Sequence, residues 1–258
     1  MKSVDLLLLG AAQVVTVDGG RAGPKRGPDD MNRLGVIEDG AVAVHRGRIR
    51  AVGTTNELLR TFRARKKIHC RGRTLLPGFV DCHTHPVFAT MRVDEFAMRC
   101  RGADYEEILA AGGGIHASAE ATREASLETL AEGVRSRLDG FLLHGTTLVE
   151  GKSGYGLSFD SEMRSLRALR RGANRHPVEV VRTFLGAHVV PKEYARDRAA
   201  YVDEVVDRMS PEVAAKKLAE FCDVFVERGA FRVEEGERIR RAGTRHGLAP
   251  KVHADQFR

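Results

Sequence analysis

The sequence predicts an α/β fold, with parallel strands flanked by helices behind a small β-rich domain, and three observations support this. Residues 1–75 carry short β-rich runs separated by turns, and after Leu75 strand-like and helical runs alternate. The connections between successive strand-like runs are long enough to hold a helix, as parallel pairing requires. With 258 residues, 42% hydrophobic and 30% charged, the chain can bury a sizeable core in one large domain, or in a medium one beside a small one.

The elements follow in order. VDLLLLGAAQVVTV (4–17) has the composition of a strand, and GAVAVHRGRIRAVG (40–53) that of a hairpin around a polar turn at 45–47. RAGPKRGPDDMNRLG between them, rich in Gly, Pro and charge, is expected to be an exposed loop. Five strands are then expected at LLPGFVD (75–81), TTLVEG (146–151), VEVVRTFLGA (178–187), DVFVE (223–227) and PKVHA (250–254). Between them, ASAEATREASLETLAEGVRSRLDGFLLHG is expected as one long helix ending at Gly145. DSEMRSLRALRRG is expected to open with Asp160 as N-cap and close at Gly172, and residues 198–220 and 233–247 complete the helices.

Composition removes several classes of function. Apolar runs such as residues 6–9 are far too short to span a bilayer. The N-terminal MKSVDLLLLG is interrupted by Asp5 and runs on as a strand, so it is not read as a signal peptide and a cytoplasmic protein is expected. Four scattered cysteines without a C-x-x-C pair fit free thiols in a reducing compartment. A net charge of +7 raises nucleic acid as a partner, but the arginines are interleaved with acids. With no Trp and four Tyr there is also no stacking platform, so neither nucleic acid nor membrane is expected as a partner.

Ten histidines remain to be sorted. His144 and His246 precede glycines at helix ends, where they suit the macrodipole. His45 sits in the hairpin turn, and His69, His116 and His176 lie in polar or irregular surroundings; all six are read as structural or solvated. His83, His85, His188 and His253 differ, because each falls at the C-terminal end of an expected parallel strand. Alternation along the strand turns His83 and His85 to one side together with Asp81, so two imidazoles at i and i+2 can grip one metal ion. A third nitrogen must come from another strand end, with His253 the natural candidate. Adjacent core histidines would instead each need a buried polar partner.

PGFVDCHTH behind a β-rich segment resembles the amidohydrolase superfamily of metal-dependent hydrolases. HTHPVFATMR, RGADYEEILAAGGGI, VEGKSGYGL, TFLGAHVVPKEY and KVHADQ, in that order, resemble its imidazolonepropionase family. The resemblance implies a TIM-like (β/α) barrel, of which residues 76–258 supply about five of eight βα units. It also implies hydrolysis of a C–N bond of 4-imidazolone-5-propanoate, a small-molecule substrate, to N-formimidoyl-L-glutamate in histidine degradation. His83, His85 and His253 match ligands of one zinc or iron ion. Arg92, Tyr155, His188 and Gln256 match substrate contacts, Arg92 being suited to the propionate through its planar fork. Taken singly, Arg92 fits equally a surface arginine and Tyr155 a loop packer.

The chain departs from that family at Pro86, at Ala89 and Thr90, where paired glycines are usual, and at Gly151, where an aliphatic residue is usual. The resemblance also implies a catalytic histidine and a metal-binding aspartate on strands that would follow Arg258, so the 258 residues by themselves are expected to turn over at or near background. Two alternatives stand beside this function: another amidohydrolase (a deaminase or cyclic-amide hydrolase), or a non-catalytic metal- or ligand-binding remnant. The oligomeric state is left open, with a homodimer the commonest symmetric form.

Overall fold

The computed structural model describes every residue except 19, 21, 22, 105, 106, 109–112, 257 and 258. Part of the RGADYEEILAAGGGI stretch therefore lies outside the described residues. The chain forms two compact units, Met1–Gly78 and Phe79–Arg258.

The first unit is a five-stranded sheet. β1 (Lys2–Val15), long enough to pair along both its edges, runs antiparallel to β2 (Val36–His45) and parallel to β4 (Phe62–His69) and β5 (Thr74–Leu75). β3 (Arg48–Thr54) pairs with β2 across the expected turn at Arg46 and Gly47. Val4, Leu7, Leu9, Ala41, Ala43, Leu58 and Phe62 pack together as its core. Three elements were not expected from sequence. The Thr55–Thr61 helix is fixed by a capping box between Thr54 and Glu57. β4 carries the charged run RARKK, which has no apolar alternation to announce a strand. The expected loop 21–35 contains a short helix, Gly27–Met31, with Pro28 in its first turn.

In the second unit β6 (Phe79–Thr84), β7 (Thr146–Lys152), β8 (Glu179–Ala187), β9 (Phe221–Val224) and β10 (Ala249–Pro250) lie side by side in chain order, all parallel. This is the α/β arrangement expected of a partial (β/α) barrel. Each strand meets the next because a helical crossover returns the chain to the same end. Leu130, Val134 and Leu138 of the Leu127–Leu143 helix and Leu166 and Leu169 of the Phe159–Ala173 helix join Phe184, Val205, Met209 and Ile239 in one buried cluster. Each such side chain contributes about 1.5–3 kcal/mol on leaving water. Buried Tyr201 keeps its hydroxyl satisfied by donating to the Gly186 carbonyl at 2.7 Å.

Several helix boundaries differ from the sequence expectation. The long helix is two, Ile115–Glu124 and Leu127–Leu143, because Ser126 stops the first and caps the second by accepting from the Thr129 N–H. The next helix starts two residues earlier than expected, with Ser158 at the N-cap, so Asp160 lies in the first turn and the helix ends at Ala173. Residues 198–220 form an α–π–α succession that ends at Ala215, not one helix. Among the described residues no helix is long and apolar enough to cross a membrane.

Candidate metal centre

The C-terminal ends of the parallel strands bring His83, His85 and His253 together. One ring nitrogen of each lies within 4.8 Å of the other two. The His83 and His253 rings meet edge-on with centroids 4.4 Å apart, and His85 stands 5.6 Å from His83 and 5.7 Å from His253. His253 is delivered by a bridge to Phe225 just beyond β10, so its backbone is locked to β9. Asp81 does not join them. The pairing of β6 with β7 is irregular between Asp81 and Thr84, which breaks the side-chain alternation the sequence suggested, and the Asp81 carboxylate instead accepts from the His83 N–H at 3.3 Å.

The donor set fits a metal ion. The buried Nδ1 of His85 and Nε2 of His253 have no hydrogen-bond partner, an arrangement that costs free energy unless something else occupies their lone pairs. Burial, reinforced by the neighbouring charges of His188 and His253, pushes the His85 pKa down to about 2. Burial, with the charges of His253 and Lys152, also lowers that of His83. Both rings are therefore neutral near pH 7, the form in which imidazole acts as a ligand.

Substrate-contact candidates gather beside the cluster. His188 stacks on His85, with centroids 5.2 Å apart and planes inclined by 21°, and its Nδ1 hydrogen-bonds the Gly154 carbonyl at 2.9 Å. Burial pushes its pKa down to about 4 despite that bond. The Tyr155 ring lies 5.7 Å from His85 and 5.4 Å from His188, and its hydroxyl is 3.5 Å from the Arg92 guanidinium. Gln256 is held differently, its backbone N–H donating to Glu227 at 2.9 Å while the residue is exposed. No described contact carries it to the imidazoles.

The charged groups packed around this cluster were not singled out by the sequence reading. Lys152, inside the KSGYG motif, is almost fully buried, and its ammonium bonds Glu150 at 2.9 Å and Asp223 at 2.7 Å. Glu162, also buried, accepts backbone N–H groups from Gly154, Gly156 and Leu157, and so fixes the loop that presents Tyr155. Gly154 in that loop has φ +113°, and a Cβ there would stand 2.9 Å from the Leu185 carbonyl oxygen, so only glycine fits. Burial alone would raise the carboxyl pKa of Glu150 and Asp223. Hydrogen bonds from Lys251, Thr183 and Lys152 to Glu150, and from His253 and Lys152 to Asp223, outweigh it and hold both below the ordinary value.

Residues 40–64 match the family model described as "Imidazolonepropionase-like composite domain, bacteria". The chain is 51% identical over 256 residues to the imidazolonepropionase of Geobacillus thermodenitrificans, covering 98% of this chain and 60% of that protein. It is 51% identical over 261 residues to that of Symbiobacterium thermophilum, covering 100% of this chain and 60% of that protein. The chain thus spans about 60% of the length of these curated relatives. Among solved structures, the triazine hydrolase of Arthrobacter aurescens superposes with a TM-score of 0.66 at 17% identity, over 98% of this chain and 53% of that one. An adenosine deaminase of Xanthomonas campestris, solved with bound zinc, superposes with a TM-score of 0.56 at 18% identity, over 98% of this chain and 50% of that one. At such identities these two likenesses speak for the fold alone.

Proposed function

We propose that the chain belongs to the imidazolonepropionase family and that its protein hydrolyses the ring C–N bond of 4-imidazolone-5-propanoate to give N-formimidoyl-L-glutamate, as a step of histidine degradation. His83, His85 and His253 hold one metal ion, zinc or iron, both of which accept imidazole. When bound, the ion supplies Lewis acidity and makes a water nucleophilic near neutral pH. The chain's own residues set the stage for that chemistry. Arg92 takes the propionate carboxylate in its two-pronged fork, and Tyr155, 3.5 Å away, shares that end of the substrate. His188, neutral and anchored through Nδ1 to Gly154, turns Nε2 to the flat polar ring. Gln256, exposed three residues after His253, is assigned to the imidazolone by the family resemblance alone. In the overall reaction the oxygen of water bonds to the ring carbonyl carbon, the C–N bond breaks, and a proton passes to the departing nitrogen.

The single observation that carries this is the convergence of three imidazoles from two distant stretches of chain, with Arg92, Tyr155 and His188 linked beside them. Zinc-loaded chain joined to the downstream segment of the Geobacillus thermodenitrificans relative tests it, by loss of the imidazolone absorbance. Turnover that falls at least 100-fold in Arg92→Ala is expected. A chimera that turns over guanine or a hydantoin but leaves imidazolonepropionate untouched contradicts it.

A further inference from the structure

We propose that Asp223 and Lys152 are positioning residues for the metal centre: Asp223 fixes which nitrogen of His253 carries the proton, and Lys152 holds Asp223 in place to do so. The inference rests on the assignment of three imidazoles to one ion and goes beyond it to groups that touch neither ion nor substrate.

Both oxygens of Asp223 are committed. Oδ1 accepts from the Val224 N–H at 2.9 Å, which ties the carboxylate to its own strand. Oδ2 lies 2.7 Å from Lys152 Nζ and 2.9 Å from His253 Nδ1. The approach to Nδ1 is short but bent away from the straight line of a full hydrogen bond. A carboxylate at that nitrogen favours the Nδ1–H tautomer and leaves the Nε2 lone pair bare. Nε2 is buried and has no partner within the protein, which is the condition of a nitrogen reserved for a ligand.

Lys152 has no route to solvent and lies between two acids. Glu150, on its other side, takes a hydrogen bond from Thr183 at 2.6 Å and an ion pair from Lys251 at 2.5 Å. Positive and negative groups alternate from Lys251 through Glu150 and Lys152 to Asp223, so the row is neutral as a whole. Lys152 thereby holds Oδ2 of Asp223 at the Nδ1 of His253. A merely structural network would stabilise the sheet but would leave the tautomer and the metal affinity untouched.

The test is zinc titration of the metal-free chain in competition with a chromophoric chelator, for the unsubstituted protein, Asp223→Asn and Lys152→Met, together with 15N spectra of the histidine rings. Zinc affinity 10–100-fold weaker in each folded variant is expected, with His253 in the unsubstituted, metal-free chain protonated at Nδ1 and bare at Nε2. Affinity within twofold of the unsubstituted chain in both variants overturns the proposal. Should neither variant fold, the tautomer decides alone, and a proton on Nε2 of His253 overturns it. An unsubstituted chain that takes no zinc overturns the metal assignment and this inference together, whereas normal zinc binding that ignores Asp223 overturns only this inference.

Discussion

Glu162 Oε1 accepts a 2.7 Å hydrogen bond from the backbone N–H of Gly156, from inside the core. The same carboxylate takes the N–H groups of Leu157 and Gly154, so one side chain shapes the loop on which Tyr155 stands. Removing it leaves three buried donors without a partner, at about 1–3 kcal/mol each. Glu162→Ala is expected to lose roughly 3 kcal/mol or more in urea unfolding, and Glu162→Gln, which keeps one acceptor oxygen, distinctly less. A loss of under about 1 kcal/mol in Glu162→Ala would show that the loop holds itself.

At Gly151, where the family resemblance led to an expectation of an aliphatic side chain, the local packing leaves no room for one. A Cβ at this position would stand 2.9 Å from Val180 Cγ1 and 3.1 Å from Leu169 Cδ2, so those neighbours already fill the space. Gly151→Val is expected to destabilise by about 1–3 kcal/mol through overpacking. The double variant Gly151→Val with Val180→Ala should recover most of that loss, as chemical denaturation of the two can check.

Acid should weaken the metal-free chain in a defined window. His188 has its folded pKa pushed down to about 4 and His85 to about 2, both below the ordinary value of 6.5, chiefly by burial. As pH falls below about 6.5 the unfolded chain binds protons that these rings cannot take in the folded state. Stability is thus complete above that pH and declines as pH drops toward 4. Urea midpoints at pH 8, 6.5, 5 and 4 should fall in that order below 6.5, and less steeply in His188→Gln. A midpoint unchanged from pH 8 to 5 would contradict the burial of these rings.

The four cysteines should divide into two pairs. Cys82 and Cys100 are exposed, Cys70 and Cys222 are buried, and burial pushes the Cys222 thiol up to about 12. Two thiols are expected to react promptly with a disulfide reagent at pH 8, and the other two only on unfolding. Mass spectrometry of the labelled peptides identifies which.

The parts of this molecule that follow from periodicity were legible in its sequence. PGFVD, TTLVEG and VEVVRTFLGA read as parallel strands because β-rich runs alternate with helical ones, and the histidines stood out because they fall where those runs end; that β6 leaves Phe79 and Val80 exposed could not be read there. β4 was hidden by RARKK, whose charges mask a strand held by backbone pairing to β1 rather than by an apolar face. Lys152, Glu162 and Asp223 were hidden for a related reason. A charged residue in a sequence looks the same whether it faces water or a buried partner; the pairing of β7, β8 and β9 brings Lys152 and Asp223 together, and the loop after β7 turns its N–H groups onto Glu162. Asp81 was misplaced because alternation assumes a regular strand, and β6 is irregular where it matters.

X-ray absorption at the zinc edge of the zinc-loaded chain tests the central claim most directly. One zinc per chain with three imidazole nitrogens at about 2.0–2.1 Å is predicted, with one imidazole shell lost in each of His83→Ala, His85→Ala and His253→Ala. A coordination shell without imidazole, or one that keeps all three after His253→Ala, would contradict it.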